Sequence, residues 1–269
     1  MKINVHVTVS DNSLPYYKYM EQNYRLLKSE SHDLHFFAYC LDDRAFQVIK
    51  SEKSAVAFFL GSKRGTTAHC DAAKAAFEQV KSLRDDINII ADSDTVVLQK
   101  DWDVILVDAL STNKVLGSTY EPFGGFSSGT GNIQTYKNIP TLTWFAMSPN
   151  VDFSGIDLTP YKGSHLEILD DEMSEIYQLP KGFFLLRDTG WQIPKYLYEN
   201  NISYKILTHE KPTKTAKVLK SDRDYHEEYQ LDGLPFMAHQ RGSMSQQFRV
   251  SELSSTFYST LDAYFSNLK

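Results

Sequence analysis

Between Ile3 and Ala91 the chain switches repeatedly between a two-residue and a helical hydrophobic period. That alternation restricts the fold more than any other feature. Ile3, Val5, Val7 and Val9 alternate with polar residues, which is the period of a strand. Asp11, Asn12, Ser13 and Pro15 break that strand and open a helix over Tyr16 to Lys28. Asp33 to Leu41 reads as a second strand, Arg44 to Ser51 as a helix and Val56 to Leu60 as a short third strand. Past the cationic loop Gly61 to Gly65, Thr66 or Thr67 caps a helix whose Ala68, Ala72, Ala76 and Val80 fall four apart. Its small residues let it lie close on a sheet. Ile87 to Ala91 is almost wholly apolar, as a strand covered on both faces must be. Strands that alternate with helices imply a mostly parallel sheet with right-handed crossovers, so the fold class is α/β.

The second half is more mixed. Val115 to Thr119, Leu142 to Met147 and Tyr204 to Thr208 read as strands, and Trp191 to Asn200 as a helix. Lys211 to Glu228 is rich in charge and is expected to be exposed, and the Gly-rich stretch Phe123 to Gly131 to be a loop. With 42% hydrophobic and 23% charged residues the chain has the apolar content for a packed core, which excludes global disorder. The net charge of -6 argues against a general nucleic-acid binder, whose phosphate contacts need a basic surface. No apolar run approaches the ~20 residues of a membrane span, and a strand pattern at the N-terminus leaves no place for a signal peptide. Two cysteines, Cys40 and Cys70, make neither a disulfide framework nor a four-thiolate zinc site. These features predict a soluble, cytoplasmic protein.

In an open α/β sheet, ligands bind beyond the carboxyl ends of the strands. The residues that follow each strand are therefore the candidates: Ser10 and Asp11, Asp42 and Asp43, Lys63 and Arg64, and the triplet Asp92-Ser93-Asp94. Asp-x-Asp recurs at Asp101-Trp102-Asp103, which reads as a helix start, and at Asp222-Arg223-Asp224, which reads as a solvated loop. Only Asp92-Ser93-Asp94 joins two apolar stretches, Ile87 to Ala91 and Thr95 to Leu98. Two carboxylates crowded at a strand end repel unless a cation neutralises them, and hard oxygen ligands suit Mg²⁺ or Mn²⁺. The alternative is an acidic turn that caps the next element.

In this context the stretch from Gly61 to Asp103 resembles the donor-binding half of GT-A glycosyltransferases: a cationic loop, an Ala-rich helix, a strand, Asp-Ser-Asp, then Val-Val-Leu. The resemblance covers about the first 120 residues well and the remainder loosely. It implies one GT-A type domain over 1–269, with a donor half at 1–120 and an acceptor-side half at 121–269. In that family the first Asp of the motif contacts ribose or metal, and the last holds a divalent cation against the diphosphate of a nucleotide sugar. Carried over, Asp92 and Asp94 take those roles. Cys40 to Asp43 looks like the region where members contact the nucleotide base. Downstream, His239-Gln240-Arg241-Gly242 resembles the late H-x-x-G segment of retaining members, whose His completes the metal site. Ser245 stands where the family often has Lys, so Arg241 or Lys63 would take over the phosphate contact.

Asp188, in Leu185-Leu186-Arg187-Asp188-Thr189-Gly190-Trp191, resembles the acceptor-side acid, and the alternative for it is a helix cap. The resemblance thus implies metal ligands at Asp92, Asp94 and His239, and a catalytic carboxylate at Asp188. Ser10, Asp42, Lys63, Arg64, Asp92, Ser93 and Gly242 become the expected contacts to the donor. Mn²⁺ or Mg²⁺ is the implied cofactor, a nucleoside diphosphate sugar (UDP-sugar first) the donor, and a carbohydrate or other hydroxyl the acceptor. The H-x-x-G segment points to retention of anomeric configuration, whereas a base at Asp188 would mean inversion. Two rivals stay open. One is a nucleotidyltransferase that makes nucleotide sugars, although Ser10 to Leu14 lacks the Gly-rich phosphate loop expected there. The other is a nucleotide- or carbohydrate-binding module without turnover.

Overall fold

The computed structural model describes residues 1–61, 66–119, 133–134, 138–153, 155–158, 167–185, 189–210, 226–240 and 251–266. The first half alternates as expected: β1 (Lys2–Val9), α1 (Leu14–Leu27), β2 (Asp33–Cys40), α2 (Asp43–Glu52), β3 (Val56–Phe59), α3 (Thr66–Ser82) and β4 (Ile87–Ala91). There follow β5 (Thr95–Val97), α4 (Trp102–Thr112), β6 (Val115–Ser118), β7 (Ile133–Gln134), β8 (Trp144–Met147), β9 (Glu167–Ile168), α5 (Asp171–Tyr177) and β10 (Phe184–Leu185). The chain continues through α6 (Ile193–Glu199), β11 (Tyr204–Glu210), β12 (His226–Leu231), β13 (Leu234–Gln240) and α7 (Ser251–Ser266).

One ten-stranded sheet runs in the order β3-β2-β1-β4-β8-β6-β11-β12-β13-β5. The β3-β2-β1-β4 part is parallel, as the alternating pattern requires. Strand β8 is antiparallel to both β4 and β6, β11 is parallel to β6, and β11-β12-β13-β5 is antiparallel throughout. Strands β7, β10 and β9 form a separate small sheet. Among the described residues no helix is long and apolar enough to cross a membrane.

The strand alternation sorts the core into two layers. Ile3, Val5, Val7 and Val9 of β1 and Phe36, Ala38 and Cys40 of β2 face α1, α2 and α4, where Tyr17, Met20, Tyr24, Ile49, Trp102 and Leu106 are buried. Phe37 and Tyr39 face the other way, onto α3, whose Ala68, Ala72, Ala73, Ala76, Phe77 and Val80 are all buried. The small side chains seat this helix close to the sheet, and α5 and α6 continue the same layer through Ile176, Tyr177, Ile193 and Leu197. A third cluster joins Val96 and Ala238 to Phe257 and Leu261 of α7.

Two expectations need correction. The charged stretch Lys211 to Glu228 is not exposed along its whole length. Residues 211–225 lie outside the described residues, but His226, Glu227 and Glu228 open β12 and are buried. Their strand lies between β11 and β13, and Phe257 of α7 packs on His226, so neighbours decide burial where composition pointed outward. The helix expected over Trp191 to Asn200 begins at Ile193, and its cap position belongs to Gln192. A turn precedes it in which Gly190 adopts φ +83°, a region L side chains rarely enter, and a Cβ there would stand 2.9 Å from Leu142 Cδ1.

The second Asp-x-Asp does start a helix, α4, but its last Asp is a core anchor. Asp103 is fully buried and accepts from Ser29 N at 2.7 Å, Ser29 Oγ at 2.6 Å and His32 Nδ1 at 2.8 Å. The triplet at Asp222 to Asp224 lies outside the described residues.

Asn4 and His6, two of the polar residues that alternate along β1, are also inside, because both faces of the sheet are covered there. His6 Nε2 lies 3.1 Å from Asn88 Oδ1, which also accepts from Asn4 Nδ2, so that ring nitrogen carries the proton. His6 Nδ1 then accepts from the Tyr39 hydroxyl at 2.9 Å, and the ring stacks on Phe37 with centroids 4.9 Å apart. Burial pulls the His6 pKa down to about 4, against a smaller upward pull from Asn88. The folded state therefore holds His6 neutral where the unfolded chain would protonate it. This stabilisation is complete above pH ~6.5, is lost as pH falls towards about 4, and amounts to about 3 kcal/mol across that window. Urea unfolding between pH 7 and pH 4 should show this loss, and the His6→Gln variant should show a correspondingly shallower pH dependence.

Candidate metal centre

The Asp92-Ser93-Asp94 turn leaves β4 at its carboxyl edge and returns the chain into β5. Backbone bonds fix it at each step: Asp92 N donates to Thr143 O at 2.9 Å, Thr95 N to Asp92 O at 3.3 Å, and Gln240 N to Asp94 O at 3.2 Å. The Thr95 hydroxyl donates to Asp92 O at 2.8 Å. Behind the turn, Trp144 Nε1 donates to the Tyr24 hydroxyl, which lies 3.3 Å from Thr95 Oγ1. Among the described residues strand β5 is an edge of the sheet, and the Asn23 side chain of α1 stands where a neighbouring strand would. It donates to Val97 O at 3.1 Å and accepts from Val97 N at 2.8 Å. Such side-chain pairing satisfies an otherwise open ladder.

Strand β13 covers the other side of β5 with His239 opposite Thr95. This register carries His239 from far along the chain to the Asp-x-Asp turn. His239 Nε2 lies 3.3 Å from Asp94 Oδ1, and ligand atoms of Asp92, Asp94 and His239 all fall within 4.8 Å of one another. Among the described residues no other group of three such side chains gathers in this way. Asp94 and His239 are buried and Asp92 is partly open, with His69 Nε2 of α3 at 3.8 Å from its Oδ1. Two carboxylates and an imidazole are a donor set for Mn²⁺ or Mg²⁺. Ligands on opposite sides of a Mg²⁺-sized ion stand about 4.2 Å apart, so the cluster needs only slight contraction to fit one. Asp92 and Asp94 enter at the end of β4, where a ligand in an open sheet belongs.

The electrostatics are set by burial and by two acids. Burial alone would strip the proton from His239, but the carboxylates of Asp94 and Glu227 on either side of the ring overcome it and hold the pKa well above the ordinary histidine value. Glu227 Oε2 accepts from His239 Nδ1 at 2.7 Å. Without a metal, the imidazolium is the cation between these acids. Tyr258 of α7 stands near enough to Asp94 that, after burial, the carboxylate's charge is the next cause raising its hydroxyl pKa.

The remaining expected contacts divide into two groups. Ser10 and Asp42 lie at the same sheet edge, since Val7 pairs with Ala91 and Val9 with Cys40. Both shape their own loops. The Ser10 hydroxyl lies 3.3 Å from Ser13 Oγ, and its carbonyl accepts from Ser13 N at 3.0 Å. Asp42 caps α2 by accepting from Ala45 N at 2.9 Å, and its other oxygen accepts from Asp11 N at 2.7 Å. Ser93 is buried in the turn itself. Lys63, Arg64, Asp188, Arg241 and Gly242 lie outside the described residues, as does the Gly-rich stretch Phe123 to Gly131. Sequence reasoning missed Glu227, which it placed in the exposed stretch. The pairing that sets it opposite His239 is non-local, and no local pattern in the sequence signals it.

No family model and no curated protein matches the chain. Among solved structures it is similar to the mannosyltransferase PcManGT from Pyrobaculum calidifontis in complex with GDP-Man and Mn²⁺, at 14% identity and TM-score 0.37 over 54% of this chain and 44% of that one. It is also similar to S. aureus TarS 1–349 in complex with UDP-GlcNAc, at 13% identity and TM-score 0.33 over 76% of this chain and 49% of that one. The chain therefore spans about half the length, or less, of these proteins.

The donor set predicts a metal-linked gain in stability. At 100 times its Kd, Mn²⁺ should add about 2.7 kcal/mol, a shift of several degrees in thermal unfolding. Asp94→Asn and His239→Ala should each remove that shift, and an undiminished Mn²⁺ response in both variants would place the ion elsewhere.

Proposed function

We propose that the chain is a metal-dependent glycosyltransferase that moves a sugar from a nucleoside diphosphate sugar to a hydroxyl acceptor. A UDP-sugar is the first donor to test, and residues 1–120 serve as the donor half with 121–269 on the acceptor side. The convergence of Asp92, Asp94 and His239 at the carboxyl end of β4 is the observation that carries this reading. An acidic turn that only capped the next element would not need a buried imidazole from a strand far along the chain. Cys40 and Cys70, both buried and not joined in a disulfide, suit the reducing cytoplasm in which we place the reaction.

In the transfer, the bond between the anomeric carbon and the diphosphate oxygen breaks and its electron pair leaves with the diphosphate. The acceptor oxygen bonds to the anomeric carbon and gives its proton to the departing diphosphate oxygen, which has taken the electron pair of the broken bond. When bound, Mn²⁺ or Mg²⁺ supplies positive charge against the departing diphosphate. Asp92, Asp94 and His239 hold that ion, and His69 beside Asp92 helps to orient its carboxylate. Lys63 and Arg64 add positive charge at the diphosphate. Ser10, Asp42, Ser93 and Gly242 line the donor, with Asp42 acting chiefly through the loop it ties to α2. Asp188 serves the acceptor side. The spacing of His239 and Gly242 favours retention of configuration, in which Asp188 orients the sugar or acceptor rather than taking the proton.

With Mn²⁺ and a UDP-sugar the protein should release UDP, at least by slow hydrolysis, and Asp94→Ala should lower turnover on the order of 10²–10³-fold. Turnover at the parent rate in Asp94→Ala would remove the metal role of this residue. Pyrophosphate-dependent exchange into the nucleotide sugar would mark the protein as a nucleotidyltransferase instead. Nucleotide binding with no release of UDP would leave a binding module.

A further inference from the structure

On the side of His239 away from Asp94, one face of the antiparallel strands carries a buried run of polar side chains. Cross-strand pairing sets it out: Glu227 lies opposite His239 and His209 lies opposite Tyr229. Partners directly opposite share a face, as do residues two apart on one strand, so all four side chains point the same way. The contacts follow from that placement. Glu227 Oε2 accepts from His239 Nδ1 at 2.7 Å and from the Tyr229 hydroxyl at 3.0 Å. Glu227 Oε1 lies 3.7 Å from His209 Nε2, and the His209 ring meets the Tyr229 ring edge-on with centroids 5.1 Å apart. Glu227, His209 and Tyr229 are all buried.

A buried carboxylate is costly unless it is paired and hydrogen-bonded, and this one accepts from one ring nitrogen of His239 and from the Tyr229 hydroxyl. An imidazole that donates through Nδ1 can turn only Nε2 to a ligand. Rotating the ring over would break the 2.7 Å bond to Glu227 and leave that acid facing carbon. We propose that Glu227 is the positioning residue that presents His239 Nε2 to the divalent cation, and that the Tyr229 hydroxyl holds Glu227 in place. The inference rests on the metal reading of Asp92, Asp94 and His239. Carboxylates behind metal-bound histidines commonly act in this way, by fixing the tautomer and raising the ligand's basicity.

The test is Mn²⁺ binding to the full chain without substrate, followed by electron paramagnetic resonance of the free ion, with pulsed measurement of nitrogen coupling to the bound ion. The parent should bind Mn²⁺ and show the coupling of one imidazole nitrogen. Glu227→Gln, similar in size but uncharged, should bind 10–100-fold more weakly and lose or weaken the nitrogen signal while its circular dichroism stays that of the parent. Tyr229→Phe, which deletes one hydroxyl donor to Glu227, should weaken binding several-fold, and it decides the matter if Glu227→Gln does not fold. Parent-like affinity with an intact nitrogen signal in the folded variants would overturn the positioning role and leave the metal site standing. Absence of Mn²⁺ binding in the parent would overturn the metal reading and this inference with it.

Discussion

The antiparallel pairing of β13 on β5 is the interaction on which the candidate centre depends. Without it, Asp92 and Asp94 are two acids in a turn, and His239 is a histidine on a strand in the second half of the chain. The register is narrow in consequence. His239 faces Thr95 and its side chain shares that residue's face, so a slip of one residue would send it to the α7 side with Val96 and Ala238. Hydrophobic packing guards against the slip. Val97 and Met237 belong to the layer under α1 and α4, while Val96 and Ala238 belong to the cluster with Phe257 and Leu261. Each face thus has its own complement of apolar side chains, and the site inherits its geometry from them.

The same pairing concentrates charge where the protein excludes water. Asp94 and Glu227 stand on opposite sides of the His239 ring, and the three groups compensate one another only as a set. Removal of one acid leaves the ring with half its compensation, and removal of the ring leaves two buried acids with no cation between them. Apolar replacement of a buried charged set is often neutral or stabilising, so packing stability alone does not account for this one. Asp103 is the contrasting case in this chain. Its buried carboxylate is satisfied by Ser29 and His32 and joins the start of α4 to the loop after α1, with no convergence of further ligands.

The edge position of β5 explains why the turn needs support from outside the sheet. The Asn23 amide stands in for a missing strand, and the Tyr24 and Trp144 side chains form a bonded line behind Thr95. Helix α1 therefore does two things at once: it covers the parallel strands with Tyr17, Met20 and Tyr24, and it braces the acidic turn with its polar positions. A rigid turn holds its carboxylates in place before any ion arrives, which is what an ordered ligand set requires.

The sequence by itself determined the strand–helix alternation from β1 to β4, because period and turn chemistry are local properties. It also marked Asp92 and Asp94 as the acids at the end of an interior strand. The pairing of His239 with them could be read there only through a spacing that resembles a known family. Burial of His226, Glu227 and Glu228 was not legible, since it follows from what packs on both faces of β12, including Phe257 of α7 on His226, and packing partners are not written in local pattern. For the same reason the polar face of β1 came out as an interior network around His6 and Asn88. Local periodicity fixes which residues share a face. Which faces meet is decided by non-local strand order and register, and only the folded sheet, with β13 laid on β5 and β12 laid on β13, brings Asp94, His239 and Glu227 into one line.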